Sequence, residues 1–133
     1  MSSHQTLLPA GWARPKGYSN GIAARGRTIF TAGIVGWDEN GRFPSAELAG
    51  QVDQVLRNTL AILASGGAGP EHVVRMTWYV TDVVAYRAGL QEIGAAYKEL
   101  MGRNFPAMAV VEVSALVEPA AKVEIETIAV VPE

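Results

Sequence analysis

The segment at residues 122–131 reads KVEIETIAVV, and its alternating side chains predict a β-strand with two chemically different faces. Val123 and Ile125 belong to an apolar face, whereas Glu124 and Glu126 belong to the opposite one. An apolar strand face needs a covering layer, so we expect helices to pack on that side. The fold therefore contains a sheet with one covered face and one face of mixed polarity.

The carboxylate-bearing face of this strand has two open interpretations. Glu124 and Glu126 are followed on the same face by the apolar Ile128 and Val130. A surface that is partly apolar and partly charged is typical of contact with another subunit, with its polar residues grouped at a site. Exposure of both carboxylates to solvent is the alternative, and the strand pattern by itself favours exposure.

Two amphipathic helices are predicted from apolar residues that recur at steps of three and four. The first begins near Ala46 and ends before Gly66, and the second covers about residues 84–101. Alternating or β-branched segments predict strands at residues 19–24, 28–32, 73–81, 107–115 and 122–131. The first two strands flank an Arg-Gly-Arg turn, which suggests a hairpin.

These elements follow one another in the order β-β-α-β-α-β-β. The order describes an α/β (α+β) domain in which two helices cover a mixed sheet. No linker or internal repeat divides the chain, so residues 1–133 are expected to form one domain. Residues 1–16 are rich in glycine and proline and are expected to be irregular.

The composition is that of a globular domain with a sizeable core. The chain has 133 residues, of which 49% are hydrophobic and 18% are charged, so disorder is not expected. Its formal net charge is −2 without a run of like charges, which argues against nucleic-acid binding. Neither a run of roughly 18–20 apolar residues nor a signal-peptide pattern is visible. We therefore expect no membrane association and a cytoplasmic location.

Cysteine and histidine usage argues against thiolate chemistry and metal binding. The chain has no cysteine, which excludes disulfides and cysteine nucleophiles. Its two histidines, His4 and His72, are far apart in sequence and lack metal-ligand spacing. We expect neither a metal site nor a bound cofactor.

Several short motifs follow one another in a specific order along the chain. Each is weak alone, but their order and spacing from about residue 17 to residue 131 resemble the RidA (YjgF-type) reactive-intermediate deaminase family. The motifs are Gly17-Tyr18-Ser19, Phe30-Thr31-Ala32-Gly33, Trp78-Tyr79-Val80-Thr81-Asp82, Phe105-Pro106-Ala107, Val111-Glu112-Val113 and Lys122-Val123-Glu124-Ile125-Glu126.

The resemblance implies a chorismate-mutase-like fold and a homotrimer whose sheets line a central barrel. Three equivalent pockets would lie between subunits, and each would bind a small-molecule metabolite. Deaminating members hydrolyse an enamine or imine derived from an amino acid, and an arginine grips the substrate carboxylate. The resemblance further implies that Glu124 points into such a pocket and that Tyr18 and Glu124 act in catalysis.

The positions that form the family pocket differ here in four places. Met108 stands in the place of the arginine, and methionine offers no hydrogen-bond donor. Loss of that charged hydrogen bond costs about 1.5–3 kcal/mol, or roughly one to two powers of ten in binding. Ala32 replaces a serine, Gly94 an asparagine and Val110 a cysteine. With Gly33, these residues are expected to bind an apolar or carboxylate-free substrate in a roomier cavity.

Three functions are therefore weighed. The first is a hydrolase of an enamine, an imine or a related reactive metabolite that uses Tyr18 and Glu124 without the arginine. The second is a non-catalytic trimer that binds a small apolar metabolite or a partner protein. Some family members are described as ribonucleases or translation inhibitors, and the acidic charge balance makes that function the weakest of the three.

Other side chains have possible roles near the pocket. A replacement anchor for a carboxylate could come from Arg14, Lys16 or Arg103, although exposure to solvent is the expected state of each. Trp37 follows the glycine break after the second predicted strand and could cover an apolar ligand, although core packing is the commoner role of a tryptophan.

Overall fold

The computed structural model describes residues 4–133, which form seven strands and three α-helices. The strands are β1 (Gln5–Leu7), β2 (Gly21–Ala23), β3 (Arg27–Phe30), β4 (Ile34–Val35), β5 (Val73–Val80), β6 (Ala107–Glu112) and β7 (Val123–Val131). The helices are α1 (Leu48–Ser65), α2 (Val83–Ala88) and α3 (Leu90–Met101). None of the helices within the described residues is long and apolar enough to cross a membrane.

The main sheet is mixed, and β7 lies inside it. Its strand order is β3-β7-β5-β6, and β4 also pairs with β7. Strand β5 runs antiparallel to β7, with Tyr79 opposite Glu124, and parallel to β6, with Trp78 opposite Val110. The parallel pair is joined by α2 and α3, as a crossover connection requires.

One face of this sheet is packed against helices, as the alternation in β7 predicts. Val123 and Ile125 are fully buried, and Trp78 in β5 is 2% exposed. Val55 and Leu56 of α1 are also fully buried in the same core cluster. Each such side chain contributes roughly 1.5–3 kcal/mol through its removal from water. The predicted mixed fold with one covered sheet face is confirmed.

The predicted hairpin between the first two strands is wrong. Strand β2 pairs with β1 in a separate two-stranded sheet, whereas β3 pairs with β7. Pairing with the central strand places Ile29 against the core. In the turn between β2 and β3, Gly26 has a φ of 146°, and its backbone lies against the carbonyl of Val131. Strand β1 also means that the segment expected to be irregular contains three residues of sheet.

The second predicted helix is divided in two by Gly89. The N–H of Gly89 donates to the carbonyls of Ala85 and Tyr86, which ends α2, and α3 begins at the next residue. Glycine is a poor helix former, so a break at this position has a low energetic cost. Asp82 caps α2 by accepting hydrogen bonds from two backbone N–H groups. The short strand β4 was not predicted.

The buried amide of Gln51 connects α1 to the start of β7. Gln51 is 1% exposed, and its Nε2 donates to the carbonyls of Ser45 at 3.1 Å and Ala120 at 2.9 Å. Its Oε1 accepts from the N–H of Lys122 at 2.7 Å. These three bonds satisfy backbone groups in two loops and fix where β7 enters the sheet.

Candidate functional site

A cavity of about 740 Å³ lies between α3, the edge strand β6 and the segment before β2. This volume is within the range of pockets that bind small molecules. Most of the lining side chains are apolar or aromatic, and several come from the expected pocket positions. The lining residues are Lys16, Gly17, Tyr18, Trp78, Tyr86, Leu90, Ile93, Gly94, Tyr97, Lys98, Gly102, Arg103, Phe105, Met108 and Val110.

Hydrogen bonds to the backbone hold Tyr18 beside this cavity. The Ser19 hydroxyl donates to the carbonyl of Phe105, and the Ser19 N–H donates to the carbonyl of Pro106 at 3.0 Å. Ser19 is 8% exposed, so both bonds are shielded from water. They join the segment that carries Tyr18 to the turn before β6, which carries Met108.

The interior of the cavity is an aromatic cluster. The rings of Tyr97 and Phe105 stack with centroids 6.2 Å apart, and the ring of Trp78 lies 6.3 Å from that of Tyr86 and 6.5 Å from that of Tyr97. Burial raises the pKa of Tyr86 and that of Tyr97, so both phenols are neutral at physiological pH. The Tyr97 hydroxyl donates to the carbonyl of Asn104, which orders the turn after α3.

Trp78 brings a hydrogen-bond donor without a partner to this cluster. Its Nε1 is buried and has no hydrogen-bond partner among residues 4–133. A buried donor in that state costs about 1–3 kcal/mol. Side chains alternate along β5, so Trp78 is buried in the core and the neighbouring Tyr79 faces the open side of the sheet.

The charged residues that line the cavity all carry the same sign. Lys16, Lys98 and Arg103 are exposed lining residues, and no acidic side chain within the described part of the chain joins them. None of the three forms an ion pair with a carboxylate of residues 4–133. Lys16 and Arg103 were candidate anchors from the sequence, whereas Lys98 was not. Arg14 lines a neighbouring cleft instead.

Glu124 lies outside this cavity, on the open face of the main sheet. Its carboxylate packs on Gly33, where an added Cβ would meet Oε2 at 2.3 Å. Ala32 directly precedes Gly33 between β3 and β4. The Glu124 carboxylate accepts no hydrogen bond from residues 4–133, whereas Glu126 accepts one from the Tyr79 hydroxyl at 2.7 Å. That bond raises the pKa of Tyr79.

The expected site residues thus form two groups within one chain. Tyr18, Gly94, Met108 and Val110 line the cavity on the helix side. Ala32, Gly33 and Glu124 do not line it. Met108 and Val110 face the helices because they lie opposite Met76 and Trp78 in β5, which are both buried in the core. One sheet therefore separates the two groups.

The remaining candidates from the sequence lie elsewhere. Trp37 is 38% exposed, contacts Phe43 and does not line the cavity. The Nδ1 of His72 accepts a hydrogen bond from the Gly69 N–H, which is a structural role at the 3₁₀ turn. Within residues 4–133 no three histidine, aspartate or glutamate side chains form a group that could hold a metal ion.

Comparison with known proteins gives consistent results. The family model described as endoribonuclease L-PSP matches residues 12–131. The human 2-iminobutanoate/2-iminopropanoate deaminase is 31% identical over 105 residues, which are 78% of this chain and 73% of the human protein. A RutC family protein of Pyrococcus horikoshii is 35% identical over 113 residues, which are 84% of this chain and 85% of that protein.

A solved structure extends the likeness to the fold. A conserved Rid-family protein from Yersinia pestis superimposes with a TM-score of 0.85 at 30% identity, covering 96% of this chain and 98% of that one. The RidA protein from an Antarctic Psychrobacter superimposes with a TM-score of 0.70 at 27% identity, covering 96% and 99%. The ordered motifs, the chorismate-mutase-like fold and these matches agree, and the chain belongs to the RidA (YjgF) family.

Proposed function

We propose that this protein hydrolyses a small enamine or imine in a pocket formed between two subunits of a homotrimer. The proposal rests on the separation of the expected site residues onto two faces of one sheet. Tyr18 and Met108 belong to the helix-side cavity, whereas Glu124 belongs to the open face. A pocket that contains both the Tyr18 phenol and the Glu124 carboxylate then needs a second copy of the chain.

The open sheet face supports association with further copies. Phe30 in β3 is 71% exposed and Val111 in β6 is 43% exposed. Both lie on the face that carries Glu124. Phe30 is paired with Ile128, which is on the same face of β7 as Glu124, and Val111 is paired with Tyr79, which lies opposite Glu124. Exposed apolar side chains grouped on one sheet face are typical of an interaction surface.

The proposed reaction is the addition of water to a carbon–nitrogen double bond. Glu124 accepts a proton from the attacking water, and the water oxygen forms a bond to the imine carbon. The π bond of the imine breaks, and the nitrogen takes up a proton from solvent to give a carbinolamine. The C–N bond of the carbinolamine then breaks: its hydroxyl gives up a proton, the nitrogen leaves as ammonia, and a carbonyl compound remains. The Tyr18 hydroxyl would donate a hydrogen bond that orients the substrate. An enamine enters the same sequence after it gains a proton on carbon.

Met108 sets this protein apart from the deaminating pattern that the family resemblance implies. A methionine side chain offers neither a positive charge nor a donor for a substrate carboxylate. We therefore expect small imines such as 2-iminopropanoate, which have little apolar surface for binding, to be processed slowly. The human relative is named for 2-iminobutanoate and 2-iminopropanoate. The rates of the two proteins on these imines can therefore be compared directly.

Ammonia release is the test of this proposal. An amino-acid oxidase would generate imines from alanine, leucine and phenylalanine, and ammonia would be followed with and without the protein. We expect acceleration of at least one imine, which falls about a hundred-fold in the Glu124→Gln variant because a positioned base is lost. The proposal would be rejected if the protein accelerated hydrolysis of none of the imines, or if the folded Glu124→Gln variant kept the full rate.

The second candidate is a non-catalytic trimer that binds a metabolite at the same pocket, and Met108 is the observation that favours it. Binding that persists without ammonia release would select this candidate. Nucleic acid is not proposed as a substrate, since the chain has a net charge of −2 and no run of basic residues.

A further inference from the structure

The cavity that contains Tyr18 has a charge opposite to that of the whole chain. The protein carries a formal net charge of −2, yet the charged side chains that line this cavity are Lys16, Lys98 and Arg103. These three come from the segment before β2, from α3 and from the turn before β6. No carboxylate of residues 4–133 forms an ion pair with any of them, so their combined field is available to a ligand.

The interior next to these cations is lined mainly by aromatic and apolar side chains. Tyr18, Tyr86 and Phe105 supply accessible ring surfaces above the buried rings of Trp78 and Tyr97. Gly94 leaves the cavity wall open because nothing lies within 4 Å of where its Cβ would be. Aromatic rings bind other rings through offset or edge contacts as well as through burial of area. The volume of about 740 Å³ exceeds the needs of a three- or four-carbon acid.

We propose that this cavity selects an anionic ligand with an aromatic body, namely an aryl-substituted carboxylate, whose ring packs on Tyr18, Tyr86 and Phe105. Its carboxylate is bound by Arg103, Lys16 and Lys98. The anionic anchor is then on the rim of the cavity, away from position 108. Met108 contributes apolar surface to the floor instead.

This inference specifies the substrate class of the proposed function. It rests on that proposal only in assuming that the cavity containing Tyr18 is the site of the reaction. It differs from the expectation of an apolar or carboxylate-free substrate. That expectation followed from the loss of one donor at position 108, whereas the structure brings three cations to the same cavity from residues distant in sequence. In the proposed reaction, the corresponding substrate is the imine of an aromatic amino acid.

Equilibrium binding by calorimetry tests the inference without any turnover. Three stable probes separate the two features: 3-phenylpropanoate has the ring and the charge, 3-phenylpropanamide lacks the charge, and propanoate lacks the ring. We expect 3-phenylpropanoate to bind at least about ten-fold more tightly than either partial probe, since each feature contributes more than about 1.4 kcal/mol. Equal binding of the acid and the amide would overturn the inference.

Charge-neutralising variants locate the anchor. Arg103→Gln is expected to weaken 3-phenylpropanoate binding about ten-fold or more and to leave 3-phenylpropanamide unaffected. Lys16→Gln and Lys98→Gln are expected to act in the same direction. Arg25→Gln is the matched control, because Arg25 is exposed and does not line the cavity. Equal losses in the Arg25 and Arg103 variants would mean that net charge alone attracts the probe, which contradicts the assignment.

The outcomes for this inference and for the proposed function are distinguishable. Tight binding of 3-phenylpropanoate without ammonia release from any imine would support the ligand class and reject the hydrolase. Glu124-dependent ammonia release that is as fast with the alanine-derived imine as with the phenylalanine-derived imine would support the hydrolase and reject the ligand class.

Discussion

The carboxylate of Glu124 occupies the space that a side chain at Gly33 would fill. A Cβ built at residue 33 would lie 2.3 Å from Oε2 and 2.8 Å from Cδ of Glu124. The backbone of Gly33 has no left-handed conformation, so its lack of a Cβ is needed for space and not for backbone freedom. Glycine at this position therefore sets where the proposed catalytic carboxylate lies.

Substitution of Gly33 by alanine is expected to displace the Glu124 carboxylate. The end of a glutamate side chain can move at low cost, so we expect a loss of stability of less than about 1 kcal/mol. Activity should fall at least about ten-fold, because general-base catalysis depends on positioning. Urea denaturation and ammonia release would be measured in parallel. Full activity of the Gly33→Ala variant would show that this close contact has no functional role.

Substitution of Gly94 by alanine is expected to stabilise the protein. Gly94 lies inside α3 with nothing within 4 Å of its Cβ position, so alanine adds helix propensity without a clash. The gain should be about 0.5–1 kcal/mol in urea denaturation. Gly89→Ala is the control, since its Cβ would lie 3.2 Å from the Ala85 carbonyl oxygen between α2 and α3. An equal gain in both variants would contradict this explanation.

Substitution of Gln51 by leucine is expected to destabilise the protein by about 2 kcal/mol or more. The change removes three hydrogen bonds made by the buried amide, to the Lys122 N–H and to the carbonyls of Ala120 and Ser45, and each is worth about 0.5–1.5 kcal/mol. Gln54→Ala is the matched control on the same helix, where one bond to Asn58 is lost. That pair is worth about 0.2–0.5 kcal/mol. Similar losses in the two variants would show that the buried network contributes little.

The protein is expected to lose stability in alkaline solution through Tyr97. Burial raises the pKa of this phenol above the value of about 10 that an exposed tyrosine has. As pH rises, Tyr97 therefore loses its proton in the unfolded chain at a lower pH than in the folded chain. The contribution of Tyr97 to the free energy of unfolding is complete below pH 10 and declines as pH rises above about 10. Tyr97→Phe should cost about 1 kcal/mol at pH 7 through loss of the bond to Asn104, and its stability should decline less above pH 10. Identical alkaline slopes of unfolding free energy would contradict this role.

Substitution of Phe30 by glutamate is expected to disrupt the proposed trimer. Light scattering of the unmodified protein should give three times the chain mass of 14.1 kDa. Phe30→Glu should shift this mass toward that of the single chain, because a charge is expensive to bury in an apolar interface. Val84→Glu is the control, as Val84 is 69% exposed on α2 at the helix-covered side. A monomeric unmodified protein would reject the intersubunit pocket.

Local patterns were sufficient for much of the fold. The alternation in β7 predicted which side chains are buried, and the structure places Val123 and Ile125 in the core and Glu126 on the open face. Patterns of this kind depend only on strand and helix geometry. Strand pairing was harder, because β3 and β7 are about a hundred residues apart and only the folded chain brings Ile29 to Ala129.

The sequence by itself determined the family and the layered fold, since these depend on residue types in a fixed order. Only a prediction of the pocket residues could be made from it. Only the tertiary structure decided how those residues are grouped. It placed Glu124 and Met108 on opposite faces of one sheet and brought Lys16, Lys98 and Arg103 to one aromatic cavity. The physical reason is that electrostatic fields and cavity shape depend on distances in space, and those distances are set by packing between segments that are remote in the chain.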